Sequence, residues 1–239
     1  MWILLLSLLG SCVARSVYHE DNYEGVLRNA SYQTTTSPEQ SLYDWLWNES
    51  QDIVGKVLQT DFLKEMNNNT LQAERYIQMT MQDIYYVAAV VDVLVYAAAN
   101  SEVSPDIKHF LVGMAKSYDD FAKYLLTTNS IHDSENILPN TAVKVYVESY
   151  KQISEMSSDK LYLVVGLLPC SRLWPHIAAW LNTTEDSPYY SFKKSNMKDN
   201  SRKKFEALLE SYRHEFDESE ALLLFRGQLS NELMFFSQL

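Results

Sequence analysis

Cysteine is all but missing from this chain. Its 239 residues hold two, Cys12 and Cys170, and Cys12 falls inside an apolar leader, so the mature chain keeps one thiol. That excludes an internal disulfide framework. An exported protein normally pairs its cysteines or does without them, so a lone thiol that persists invites a chemical explanation. Glycine and proline are scarce too, six of each, which leaves few of the breaks that a sandwich or barrel needs. Basic residues are outnumbered, 20 Lys and Arg against 31 Asp and Glu, for a net charge of −11. That balance excludes nucleic acid and an anionic membrane surface as partners, since both select basic patches. It mildly favours a cationic small molecule. Beyond the leader the reading finds no segment long and apolar enough to span a bilayer at about 20 residues. The nearest approach, Tyr85 to Ala99, is interrupted by Asp92. The five histidines (His19, His109, His132, His176 and His214) are isolated. Asp106-x-x-His109 occurs once, too little for a carboxylate-bridged di-metal site. No Walker loop, dinucleotide fingerprint or zinc motif is present, so no metal or cofactor is expected.

Met1 to about Ser16 reads as a secretory signal peptide: Trp2 to Leu9 is almost wholly apolar and Gly10 to Ala14 supplies small residues near a cleavage point. Residues 17–36 are polar, end in Thr34-Thr35-Thr36, and read as a flexible extension. Four sequons, at Asn29, Asn48, Asn68 and Asn182, agree with export and with glycosylation. The expectation is a secreted protein whose residues 37–239 make one domain, a size within the usual range.

Helical punctuation recurs along that domain. Ser37-Pro38 is a cap followed by proline at the first helical position, opening a helix through about Leu58. Asn67-Asn68-Asn69 is a turn, after which Leu71 or Gln72 starts a long helix to about Asn100. Ser104-Pro105 repeats the cap for a helix to about Thr128. Further helices are expected over Thr141–Met156, over Ser158–Leu181 with interruptions at Pro169 and Pro175, and over Asp199–Phe216. Asp217-x-x-Glu220 is a capping-box-like start for the last one. Strand alternation bounded by hairpin turns is nearly absent. The pattern predicts an all-α domain, a bundle of about seven or eight helices.

Three segments stand out for chemistry. Asp83 and Tyr86, three apart on the long helix, share one face in an apolar setting. The bland alternatives are a carboxylate paired with a neighbouring helix and a core tyrosine. Cys170 follows Pro169 in Leu167-Leu168-Pro169-Cys170, a local break that can aim a side chain; the alternative is a buried, inert thiol. Arg172 would lower the thiol pKa if it faced inward, although a solvent-exposed arginine is the commoner case. Glu232 and Phe235 repeat the i, i+3 spacing near the chain end, where a surface glutamate beside a core phenylalanine is the ordinary reading.

Together these segments resemble the TenA/thiaminase II family. The family's turn-and-helix signature, Gly-Asp-Gly-Thr-Leu…Phe…Gln-Asp-x-x-Tyr, is matched by Asn67 to Leu71, Tyr76 and Gln82 to Tyr86. Its Leu-Leu-Pro-Cys with a following aromatic helix is matched by Leu167 to Trp174, and its Glu-x-x-Phe by Glu232 to Phe235. Order and spacing agree over about Trp45 to Phe236. Asparagine for glycine in the turn is a tolerable exchange, because asparagine accepts left-handed backbone.

The resemblance implies a heme-oxygenase-like helical fold, a homo-oligomer, and a hydrolase of thiamine or related aminopyrimidines. It casts Cys170 as nucleophile, Glu232 as general acid and base, and Asp83 as the carboxylate that holds the aminopyrimidine. Tyr86 and Phe235 would line the pocket. A family tyrosine four residues after the cysteine is here Trp174, and a tyrosine on the preceding helix maps to Tyr146, with Tyr150 the alternative. The family is mainly cytosolic, so export is a departure. It keeps a second reading open: a secreted, non-catalytic carrier of a small aromatic heterocycle that reuses the pocket.

Overall fold

A computed structural model of the chain describes residues 40–197 and 201–239. The signal peptide, the extension, the Ser37-Pro38 cap and Asn29 lie outside the described residues. Among those described there are ten α-helices, one 3-10 turn and no strand. The all-α expectation holds. The count exceeds seven or eight because the first expected helix is divided and two short ones were not anticipated.

Helices α1 (Leu42–Asn48), α2 (Gln51–Leu58) and α3 (Asp61–Asn67) occupy the first stretch. Hydroxyls punctuate it. Ser41 caps α1 by accepting from the Asp44 N–H at 3.1 Å. Ser50 and Thr60 donate back to the Leu46 and Val57 carbonyls, each at 2.8 Å, where the helix would otherwise continue. The turn at 67–69 forms as expected, with Asn69 in left-handed backbone at φ 57°.

Helix α4 (Ala73–Ala98) and α5 (Pro105–Thr128) pack against each other along their length. The β-branched run Val87 to Val95 lies inside α4, where helical apolar spacing overrides strand propensity. Helix α6 (Thr141–Met156) starts where the Asn140 side chain accepts from the Val143 N–H at 2.9 Å. Lys160, at φ 62°, turns the chain into α7 (Leu161–Trp180), and its ammonium donates to the Ser154 and Ser157 carbonyls that end α6.

Helix α7 runs through both Pro169 and Pro175, which corrects the expected interruption. Each proline removes one backbone donor and crowds the carbonyl four residues before it, yet the helix continues past both. The helix is held on its buried side by α6, by the short α8 (Tyr190–Asn196) and α9 (Arg202–Ser211), and by the last helix α10 (Glu218–Ser237). Gly166 permits the close approach of α6, since a Cβ there would meet Ile153 Cδ1 at 3.1 Å. Asp217 caps α10 as expected, accepting from the Ser219 and Glu220 N–H groups.

Two helices, α4 and α7, are by length and composition apolar enough to cross a membrane, which corrects the reading that no later segment is. In each, most of the apolar window, 56% and 67%, is buried against neighbouring helices, as in the core helices of a bundle. Helices α4, α6, α7 and α10 meet around one interior region, with α5 closing it from the side.

Candidate active site

Four helices each bring two residues three or four apart to that region, so that each pair shares one face. They are Asp83 and Tyr86 from α4, Tyr146 and Tyr150 from α6, Cys170 and Trp174 from α7, and Glu232 and Phe235 from α10. Helix α5 adds Tyr118. Asp83, Tyr86, Tyr118, Tyr146, Tyr150, Trp174, Glu232 and Phe235 are all buried. Cys170 alone is partly exposed as a residue, while its thiol group lies buried.

Glu232 is the hub. The Tyr146 hydroxyl donates to its Oε1 at 2.8 Å, and the Trp174 indole N–H faces both carboxylate oxygens at 3.3 and 3.2 Å. Of the two candidate tyrosines on this helix, Tyr146 is the one that reaches the Glu232 carboxylate. Tyr150, the alternative, stands one turn on. It donates to the Tyr146 hydroxyl at 3.3 Å and meets the Tyr86 hydroxyl at 2.9 Å. The rings of Tyr86, Tyr146 and Tyr150 are layered, with centroids 4.8 Å apart for Tyr86 and Tyr146 and 5.2 Å for Tyr146 and Tyr150. Phe235 closes the other side, 6.0 Å from Trp174 and 5.2 Å from Phe236.

Electrostatics divides the two carboxyls. Burial pushes Glu232 up to about 7, against the pull of the hydrogen bonds from Tyr146, Trp174 and Cys170. Burial and then the charge of Glu232 push Asp83 up to about 8. Among the described residues no hydrogen bond to the Asp83 carboxylate is formed, which sets aside the pairing with a neighbouring helix. Burial and Glu232 raise the Cys170 thiol well above its usual value, opposed by hydrogen bonds from Tyr86 and Tyr118. The four tyrosines are pushed well above the usual phenol value by burial and remain donors.

Arg172 takes neither expected place. Its guanidinium turns from the thiol to α1, donating to the Tyr43 carbonyl at 2.7 Å and Asp44 Oδ1 at 2.9 Å, and lies 4.0 Å over the Tyr43 ring. Two residues beyond the sequence reading belong to the site. Tyr118 sets its ring edge-on to Tyr86 at 6.4 Å between centroids, yet nothing in its local pattern separates it from a core tyrosine. Gln82, within the matched signature, clamps the start of α6: its amide donates to the Leu138 carbonyl at 3.1 Å and accepts from the Asn140 N–H at 2.7 Å. Among the described residues, no group of three His, Cys, Asp or Glu could hold a metal ion. The sequon residues Asn48, Asn68 and Asn182 are exposed and outside this region.

No protein-family model matches the sequence, and no curated protein matches it significantly. Solved structures do match. A TenA homologue from P. horikoshii superposes with a TM-score of 0.71 at 18% identity, over 83% of this chain and 98% of that one. A protein described as a TenA family transcription regulator, from Silicibacter, gives 0.72 at 14% identity over 84% and 97%. A candidate TenA-like thiaminase from Sulfolobus solfataricus gives 0.62 at 16% identity over 81% and 93%. The chain has the all-α, heme-oxygenase-like fold of the TenA homologues.

Proposed function

We propose that the protein is a secreted hydrolase that breaks a C–N bond of thiamine or a related aminopyrimidine, with Cys170 as nucleophile. The observation that carries the reading is the convergence of Cys170, Glu232 and Asp83, from three separate helices, in one dehydrated and tyrosine-lined cluster. Burial separates their proton affinities in the order that the chemistry needs. At a pH between about 7 and about 8 Glu232 is ionised and able to act as a base, while Asp83 still holds its proton.

In this reading the mechanism is the one that the family resemblance implies. Glu232 accepts the Cys170 proton, and the thiolate forms a C–S bond to the aminopyrimidine. The C–N bond to the leaving group then breaks, and the leaving group departs with its electron pair. The proton held by Glu232 leaves with an amine leaving group, or passes to solvent when a neutral thiazole departs; Glu232 then takes a proton from water as the water oxygen bonds the aminopyrimidine, the C–S bond breaks, and that proton returns to the sulfur. Protonated Asp83, with no hydrogen-bond partner among the described residues, offers a donor and an acceptor to the aminopyrimidine edge. Tyr86, Tyr146, Trp174 and Phe235 supply flat walls for a heterocycle. Export is supported by the apolar leader and by the exposure of Asn48, Asn68 and Asn182.

The test is turnover. The purified protein and a Cys170→Ala variant are incubated with thiamine and with 4-amino-5-aminomethyl-2-methylpyrimidine, and products are followed by mass spectrometry. Hydrolysis by the parent alone is the expected result. Saturable binding by both proteins without hydrolysis contradicts the proposal and selects the carrier reading.

A further inference from the structure

Helices α6 and α10 run antiparallel, and three polar contacts join them in order. At one end the Ala142 N–H donates to Oε1 of Gln238, just past α10, at 3.1 Å. In the middle the Tyr146 hydroxyl donates to Glu232 Oε1 at 2.8 Å. At the other end, one helical turn from that pair, Ser149 on α6 is gripped by Gln228 and Asn231 on α10. Its oxygen accepts from Gln228 Nε2 at 3.0 Å and from Asn231 Nδ2 at 3.1 Å. The Asn231 amide also donates to Gln228 Oε1 at 2.8 Å, which fixes the way the Gln228 amide faces. The one hydrogen of Ser149 goes to the nearer of two acceptors, the Tyr146 carbonyl at 2.7 Å rather than Gln228 Oε1 at 3.1 Å. Gln228 thus reaches, through one hydroxyl, the backbone of the residue whose side chain holds Glu232.

We propose that Gln228 is a positioning residue that locks the register of α6 against α10 and so keeps the Tyr146 hydroxyl on the Glu232 carboxylate. This rests on the reading of Glu232 as the acid and base of the reaction. The two end contacts are not equivalent. Gln238 is exposed, so water can replace what it offers to Ala142. Gln228 is 1% exposed, and α7 approaches it closely, since a Cβ on Gly166 would stand 3.9 Å from its Nε2. A buried amide pulled away from Ser149 has no water to turn to, so the grip resists a slide of α6 along α10. Around Glu232 stand Asp83 from α4, Cys170 and Trp174 from α7, and Tyr146 and Tyr150 from α6. The charged pair between α10 and α2, Arg226 with Asp52, lies nearly two turns earlier. Of the donors to Glu232, Trp174 rides on α7 and Tyr146 on α6, so a slide of α6 withdraws Tyr146 and leaves Trp174 in place.

The test reads Glu232 directly, by the carboxyl carbon-13 resonance of glutamate-labelled protein, assigned by its absence from Glu232→Gln. Gln228→Met keeps the volume and deletes the amide. Its titration midpoint is expected about one pH unit above the parent's, a tenfold gain in proton affinity. Tyr146→Phe is expected to show a similar rise. The double variant should rise no further than Tyr146→Phe alone, since both changes remove the same hydrogen bond. An unmoved midpoint in folded Gln228→Met overturns the proposal, as does a double variant whose rise is the sum of the two. If Gln228→Met does not fold, Ser149→Ala takes its place, with the same rise expected and the same two results overturning the proposal. The titration needs no substrate, so loss of the register and failure of thiamine hydrolysis are separate results.

Discussion

The Trp174 indole N–H lies against both oxygens of the Glu232 carboxylate, at 3.2 and 3.3 Å, one helical turn beyond Cys170. The indole thus gives the acid a donor and the site a large aromatic wall. The indole has no acceptor, so unlike a phenol it can favour only the ionised form.

Trp174→Phe removes that donor while keeping an aromatic ring. Glu232 should then rise above its value of about 7, since the Trp174 hydrogen bond is one of the influences that lower it. The activity profile of the parent is expected to be bell-shaped, falling below about 7 as Glu232 takes a proton and above about 8 as Asp83 loses one. In the variant the acid limb should move up by about one unit while the alkaline limb stays. A pH series of kcat/KM checks this, and an unmoved acid limb contradicts it.

Asp83 should weaken the fold in exchange for its role. An unfolded chain releases that proton near 3.8, whereas the folded protein holds it to about 8. The native state thus binds the extra proton across that window, and its stability falls as pH climbs from 4 toward 8. Asp83→Asn removes the effect. The variant's advantage in urea denaturation should grow between pH 5 and pH 8, reach on the order of a few kcal/mol, and then level off. Equal stability of parent and variant across this range would refute the dehydrated carboxyl.

Much of this was legible in the sequence, and the physics shows why the remainder was not. Pro105 at the first helical position, the Asp217 cap and the left-handed Asn69 act within a few residues, so local chemistry predicts them. The pairs Asp83 and Tyr86, and Glu232 and Phe235, follow from helical spacing alone. Pro169 and Pro175 do not end α7, which is packed on several sides by neighbouring helices, a tertiary effect with no local mark. Tyr118 is one tyrosine on an amphipathic helix; only folding brings it beside Tyr86. The direction of Arg172 is set by Asp44, 128 residues away.

That direction has a consequence for thiol chemistry. Arg172→Met keeps the stem and deletes the cation, breaking its contacts with Asp44, the Tyr43 carbonyl and the Tyr43 ring. Stability should drop by about 1–2 kcal/mol, in the range of a partly desolvated cation–π contact and a hydrogen-bonded pair. The rate of Cys170 alkylation should not change, because the guanidinium does not face the sulfur. A slowed alkylation in a folded variant would return Arg172 to the site.

The central claim is that Cys170 is the nucleophile, and one titration addresses it. The protein is alkylated in steps, and the fraction of Cys170 modified, read by peptide mass spectrometry, is plotted against the remaining rate of thiamine hydrolysis. The account predicts a straight line that reaches zero at complete modification, with thiamine slowing the alkylation. Hydrolysis that persists in fully alkylated protein, or that is absent before any alkylation, contradicts it.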